Sequence, residues 1–115
     1  MKKKAIIFGA GKIARGFVGQ LLYLSDFEIT FVDVFEPIVN VLNEKKQYHV
    51  HVLGDESLDS DATGIQAFTY DSKKAIYDEF YKADLAFVSV GGNHLPAAAQ
   101  SVADIINTYG AQKVV

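Results

Sequence analysis

The stretch AIIFGAGKIARGF, Ala5 to Phe17, sets two glycines, Gly9 and Gly11, between an apolar run and an amphipathic segment. A turn that only redirects the chain needs at most one glycine. Two of them, two residues apart, suggest that something comes close to the backbone there. Ala5 to Phe8 form a short continuous apolar run, the pattern of a strand buried on both faces of a parallel sheet. Beyond the glycines, Ile13, Phe17, Leu21 and Leu24 recur at helical spacing and predict a helix with one apolar face, broken at Ser25 and Asp26.

Working outward, FEITFVD (Phe27 to Asp33) reads as a second strand. Pro37 suits the first turn of a helix running to about Lys46, with Ile38, Val41 and Leu42 as its buried stripe. QYHVHVLG (Gln47 to Gly54) alternates at period two, a strand with one wet face, and DESLDSDATG is a polar connection. IQAFTY predicts a strand, and residues 72–82 a helix with Ile76 and Phe80 inward. ADLAFVSVGG (Ala83 to Gly92) is a second continuous apolar strand. A helix from about Leu95 to Tyr109 follows, anchored by Val102, Ile105 and Ile106, and AQKVV opens a further strand. Strands alternating with helices give an α/β fold: a doubly wound, mostly parallel sheet of the dinucleotide-binding Rossmann type, with a small extra strand or hairpin after the second helix.

The spacing from Gly9 is G-x-G-x-x-A. Gly9 permits the tight turn out of the strand, Gly11 leaves room for a pyrophosphate, and Ala14 is small enough for close helix–strand packing, which Gly16 and Gly19 extend. The helix that follows turns its free N–H groups and positive dipole end toward the anion. Asp33 lies 22 residues beyond Gly11 at the end of the next strand, the distance expected of a carboxylate that holds the adenosine ribose. Such a carboxylate repels a 2′-phosphate, and neither Val34 nor Phe35 offers a compensating cation, so the expected cofactor is NAD. The simpler role for Asp33 is to cap the following helix. The expected cofactor contacts are Gly9, Ala10, Gly11, Lys12, Ile13, Ala14, Asp33 and Val34, with Val90, Gly91 and Gly92 where the ADLAFVSVGG strand reaches the same edge. Asn93 either offers an amide to the cofactor or caps the helix after it. Arg15, in a first helical turn where a cation opposes the dipole, either reaches a phosphate or extends to water.

The chain has 115 residues, enough for one domain with a real core. Eleven Lys and Arg against fourteen Asp and Glu leave a net charge of −3, which argues against a nucleic-acid partner. With no cysteine there is no disulfide, thiolate zinc site or Cys nucleophile, which fits a reducing, cytoplasmic setting. His49, His51 and His94 have no carboxylate or histidine partner at ligand spacing, so no metal site is expected. The apolar run after the N-terminal lysines is too short for a signal peptide, and no window is long enough to span a membrane.

FGAGKIARGF, TFVDV with Asp33, YHVHVLG and ADLAFVSVG together resemble the N-terminal half of the polyol-specific long-chain dehydrogenases. YHVHVLG is the most discriminating of these, because a generic dinucleotide domain rarely has a strand there. The likeness runs the full length of the chain, with Ala14 in place of the usual glycine. It implies metal-independent hydride transfer between NAD and a sugar alcohol phosphate, as from mannitol 1-phosphate to fructose 6-phosphate. It also implies a lysine base, with supporting Asn and His, in a separate helical C-terminal domain. On that reading residues 1–115 are the NAD-binding front piece of a longer enzyme, carry no catalytic residue and are inactive alone. Sister enzymes acting on mannitol or hexuronates share much of this half, and a binding-only nucleotide sensor is the reading from another class.

Overall fold

The computed structural model describes residues 3–11, 14–50, 60–89 and 95–109. Strand β1, Lys3–Phe8, runs between β2, Phe27–Val32, and β6, Leu85–Val88, and pairs with both in parallel. Strand β5, Gln66–Phe68, joins the far side of β2, so the order is β5-β2-β1-β6. A parallel neighbour can be reached only by a crossover, and helices provide each one. A π-helix at Ala14–Gly19 and α1, Gln20–Leu24, lead from β1 to β2. Helix α2, Glu36–Lys45, follows β2, helix α3, Lys73–Lys82, links β5 to β6, and α4, Leu95–Tyr109, follows β6.

The period of two in β1 divides the core into two layers. Ala5 and Ile7 face Leu22 of α1 and Val39 and Leu42 of α2. Ile6 and Phe8 face the other way, onto Ile76 and Phe80 of α3 and Ala98 and Val102 of α4. All four β1 residues are essentially excluded from solvent, as a strand covered on both faces requires. The chain leaves β1 toward β2 and β5, then returns to the opposite side of β1 as β6. The strand order thus reverses beside β1, the place at the carboxyl edge where this kind of sheet opens a crevice.

Four local expectations need correcting. Leu21 and Leu24 are exposed, and Leu22 is buried in their place. The cause is the π-helix: each of its turns holds one residue more than an α turn, so the inward face beyond it moves on by about one position. In α2 the buried stripe is Val39 and Leu42, with Val41 exposed and Ile38 only partly covered. The polar run after residue 54 is not all connection. Ser60–Thr63 form strand β4, antiparallel to β3, Gln47–Val50, with His49 opposite Asp61. Gly16 does not extend the close-packed face either, since a Cβ there would meet nothing within 4 Å. The expected strand beginning at residue 113, the continuations at 51–54 and 90–92, and the side chains of Phe17, Ile105 and Ile106 lie outside the described residues.

Among the described residues β5 is an edge strand, and the side chain of Asn43 takes the place of a neighbour. Its amide donates to the Ala67 carbonyl at 2.7 Å and its oxygen accepts from the Ala67 N–H at 2.8 Å. Ala67 is fully buried, so without Asn43 both groups lack a partner. Asn43→Ala should destabilise the fold by about 2 kcal/mol, the order expected for orphaned buried backbone groups. Urea unfolding that moves by less than a few tenths of a kcal/mol would show the bracket to be dispensable.

Candidate nucleotide-binding site

The carboxyl ends of β1 and β2 meet around one loop. Gly9 leaves β1 at φ 119°, a conformation an L side chain rarely adopts, while its N–H still bonds the Val32 carbonyl at 2.6 Å. The next amide, of fully buried Ala10, donates to Asp33 Oδ2 at 2.7 Å. Gly11 is exposed, and a Cβ built on it meets nothing within 4 Å. Ala14 opens the π-helix with no exposure, so its methyl lies in the close helix–sheet contact. Open space over Gly11, a backbone turned by Gly9 and a helix beginning at Ala14 fit a phosphate group resting on the loop.

Asp33 is held from several directions. Its N–H bonds the Phe68 carbonyl at 3.1 Å, continuing the β2–β5 ladder. Besides accepting from Ala10, its carboxylate accepts from Phe35 N–H at 2.8 Å through Oδ1, a turn that sets the entry into α2. Two of about four lone-pair directions remain for hydroxyl donors. Val34 and Phe35 beside it are 42% and 61% exposed, an apolar step at the rim of the crevice. Phe35 was not among the residues picked out from sequence. Its signal is a large apolar residue two positions after Asp33, where no core position is available.

Arg15 is partly exposed and hydrogen-bonded to the loop. Its backbone N–H bonds the Gly11 carbonyl at 3.0 Å and its Nε donates to the same oxygen at 3.4 Å, which keeps the guanidinium at the loop. His49 does have a carboxylate partner, Asp61 Oδ1, at 2.7 Å across the β3–β4 hairpin. Among the described residues no three His, Cys, Asp or Glu side chains converge on a point. Lys12, Ile13, Val90, Gly91, Gly92, Asn93, His51 and His94 lie outside the described residues. What can be said of that edge is that Ser89 N–H bonds the Phe8 carbonyl at 2.7 Å, so β6 ends beside the glycine loop.

Two tyrosines frame the site from opposite layers. Tyr48 of β3 stacks edge-on against Phe31, ring centroids 5.9 Å apart, and its hydroxyl crowds the position a Cβ on Gly19 would take. Tyr70, just past β5, lines a cleft of about 210 Å³ between α3 and α4 with Lys73, Tyr77, Gln100 and Ser101. Both hydroxyls are buried without a hydrogen-bond partner among the described residues. Burial pushes the Tyr48 phenol up to about 12 against the pull of Arg15, and the Tyr70 phenol up to about 12, where the Asp33 charge adds to burial.

Residues 3–114 match a family model described as the mannitol dehydrogenase Rossmann domain. The chain belongs to that family. Among curated relatives it is 37% identical over 113 residues to a mannitol-1-phosphate 5-dehydrogenase of Shouchella clausii, covering 97% of this chain and 30% of that protein. It is 40% identical over 99 residues to the enzyme of that name from Brevibacillus brevis, covering 86% and 26%. To that of Clostridium acetobutylicum it is 38% identical over 97 residues, covering 84% and 25%. The chain thus spans less than a third of the length of the relatives it matches. A dehydrogenase Rossmann domain takes a nucleotide cofactor, and the loop described above lies on the edge of the sheet where this fold places it. No helix among the described residues is long and apolar enough to cross a membrane.

The raised phenols make a prediction for this mannitol dehydrogenase domain. A phenol whose folded pKa lies above its unfolded value near 10 stabilises the fold fully below pH 10 and loses that contribution as pH rises through about 12. Stability measured by denaturant titration should therefore fall between pH 10 and 12, with two of the six tyrosines ionising late by phenolate absorbance. Tyr48→Phe should leave neutral-pH stability nearly unchanged, because the hydroxyl lost has no partner, and soften the alkaline fall. Six phenols ionising together near pH 10 with the fold intact would contradict this.

Proposed function

We propose that this chain is the NAD-holding domain of an NAD-dependent polyol-phosphate dehydrogenase, oxidising mannitol 1-phosphate to fructose 6-phosphate in the cytoplasm. The observation that carries the reading is the juxtaposition of the open Gly9–Gly11 loop with the Asp33 carboxylate at the reversal of strand order. The names of the relatives support the substrate, and the pattern of one carboxylate with no adjoining cation supports NAD over NADP.

In this reading Gly9, Ala10, Gly11, Lys12, Ile13 and Ala14 form the cradle of the pyrophosphate. Arg15 stays close enough, through its bond to Gly11, to add positive charge beside it. Asp33 uses its remaining lone pairs for the adenosine ribose hydroxyls, and Val34 and Phe35 supply an apolar wall for the adenine. Val90, Gly91 and Gly92, which follow β6 in the sequence, are further contacts of the cofactor in this reading. NAD, when bound, supplies the hydride acceptor. The residues of this domain bind and orient it, and the proton is taken by a lysine of the helical domain that the family resemblance implies. Residues 1–115 alone bind the cofactor without turnover.

Two measurements test this. The full-length protein should form NADH with mannitol 1-phosphate and do so faster than with unphosphorylated mannitol. Absence of NAD binding by calorimetry would overturn the reading. In Gly11→Val the branched side chain enters the space meant for the phosphate, while the backbone there is not in the left-handed region and nothing nearby clashes. Its circular dichroism should match the parent and its NAD affinity should fall by roughly ten- to a hundredfold, about 1.4–2.8 kcal/mol. A folded Gly11→Val protein with unchanged affinity would leave the loop as a plain turn.

A further inference from the structure

We infer that Asp33 is a positioning residue for the glycine loop as well as a ribose ligand, so that cofactor preference cannot be exchanged at this position alone. The inference rests on the proposal that the loop takes a dinucleotide.

The geometry is specific. Gly9 turns the chain at φ 119°, and the Ala10 N–H that follows points back across the end of β2 to Asp33 Oδ2 at 2.7 Å. Ala10 has no exposed surface, so in the folded protein its amide is satisfied by the carboxylate and not by water. Asp33 is itself fixed on both sides: its N–H bonds the Phe68 carbonyl of β5, and Oδ1 takes the Phe35 N–H. The carboxylate therefore carries the position of β2 and β5 directly to the first free amide of the loop. A charged acceptor makes each of these bonds stronger than its neutral counterpart. Among the described residues Gly11, whose surroundings are open, is held only by the Arg15 contacts to its carbonyl.

The usual expectation for a ribose carboxylate is that Ser or Ala in its place relieves repulsion of a 2′-phosphate and shifts preference toward NADP. Here the same change leaves the buried Ala10 amide without a partner and releases the seat of the pyrophosphate. Because both dinucleotides share that seat, both weaken. The lost affinity extends to ligands that never touch Asp33.

A NAD analogue lacking the adenosine 2′ and 3′ hydroxyls separates the two roles. In the full chain, calorimetry should show it binding more weakly than NAD to the parent protein. Asp33→Ala should weaken the analogue by a further roughly tenfold, about 1.4 kcal/mol, although it has no hydroxyl for Asp33 to hold. NADP should not gain. Unchanged affinity of the analogue in Asp33→Ala would overturn the inference and leave Asp33 a ribose ligand only. Failure of the parent to bind NAD would instead overturn the functional reading. Amide hydrogen exchange then still decides the inference without any ligand. The Ala10 amide should be protected in the parent and exchange at least roughly tenfold faster in Asp33→Ala, with Ile7 and Phe31 still protected. Asp33→Leu, which fills the place of the side chain and offers no acceptor, serves if the alanine variant does not fold. Equal protection of Ala10 in the parent and in a folded variant refutes the coupling.

Discussion

The bond from the Ala10 amide to the Asp33 carboxylate is the constraint on which the carboxyl edge of this domain depends. Parallel strands end with their chain directions aligned, and nothing in the ladder itself determines where the loop beyond each strand goes. β1 is held by β2 up to the Phe8–Val32 pair, and one more bond, from Gly9 to Val32, extends the contact. Past that point the backbone turns away and the ladder has no further say. The side chain of Asp33 takes over there, reaching back to Ala10 while its own amide is held by β5. The ends of three strands thus acquire a fixed relation before any ligand arrives, which is the preorganisation a phosphate site needs.

A second constraint comes from the far side of the glycine helix. The β3–β4 hairpin lays Tyr48 onto the π-helix, where its ring meets Phe31 and its hydroxyl crowds Gly19. A Cβ on Gly19 would also lie 2.9 Å from the Ala14 carbonyl and 3.2 Å from the Phe31 ring. Glycine at this position is what lets the hairpin, the helix and β2 close on one another. The hairpin therefore bears on the loop through the helix that the loop begins, although it forms a sheet of its own. Among the described residues the Tyr48 hydroxyl has no partner, a local polar cost of a contact made for shape.

These constraints show which parts of the structure the sequence could reveal. β1 was legible because a strand covered on both faces is written as an apolar run, and the turn into the first helix because Gly9 has no substitute at its φ. β6 reads as the same kind of run, although of Leu85–Val88 only Ala86 is fully covered and Val88 is exposed. The spacing from Gly11 to Asp33 was legible because one helix and one strand have nearly fixed lengths. The phase of the first helix was not. Ile13, Phe17, Leu21 and Leu24 satisfy the α period, but the π-helix departs from that period at Ala14–Gly19, and only Leu22 reaches the core. β4 was hidden in a polar run because Ser60–Thr63 bury only one residue shown to be covered, Ala62, and take their form from pairing with β3. Neither the Asn43 bracket on Ala67 nor the Ala10–Asp33 bond leaves a mark in periodicity, since each joins residues 23 or 24 apart through a single polar side chain.

The exchange of glycine for alanine at position 14 follows from the same packing. In the usual dinucleotide loop the third glycine lets the helix approach the sheet. Ala14 is fully buried and begins the wide turn, so its methyl group already lies within the layer of Ala5, Ile7 and Ala10. The closest approach comes five residues later, at Gly19, where Tyr48, Phe31 and the Ala14 carbonyl converge. The demand for a residue without a side chain has moved along the helix with the turn. Ala14 is therefore compatible with a phosphate-binding loop in this chain, provided that position 19 remains glycine. A reading that weighed the loop spacing alone would count Ala14 as a defect and overlook the glycine that the packing requires.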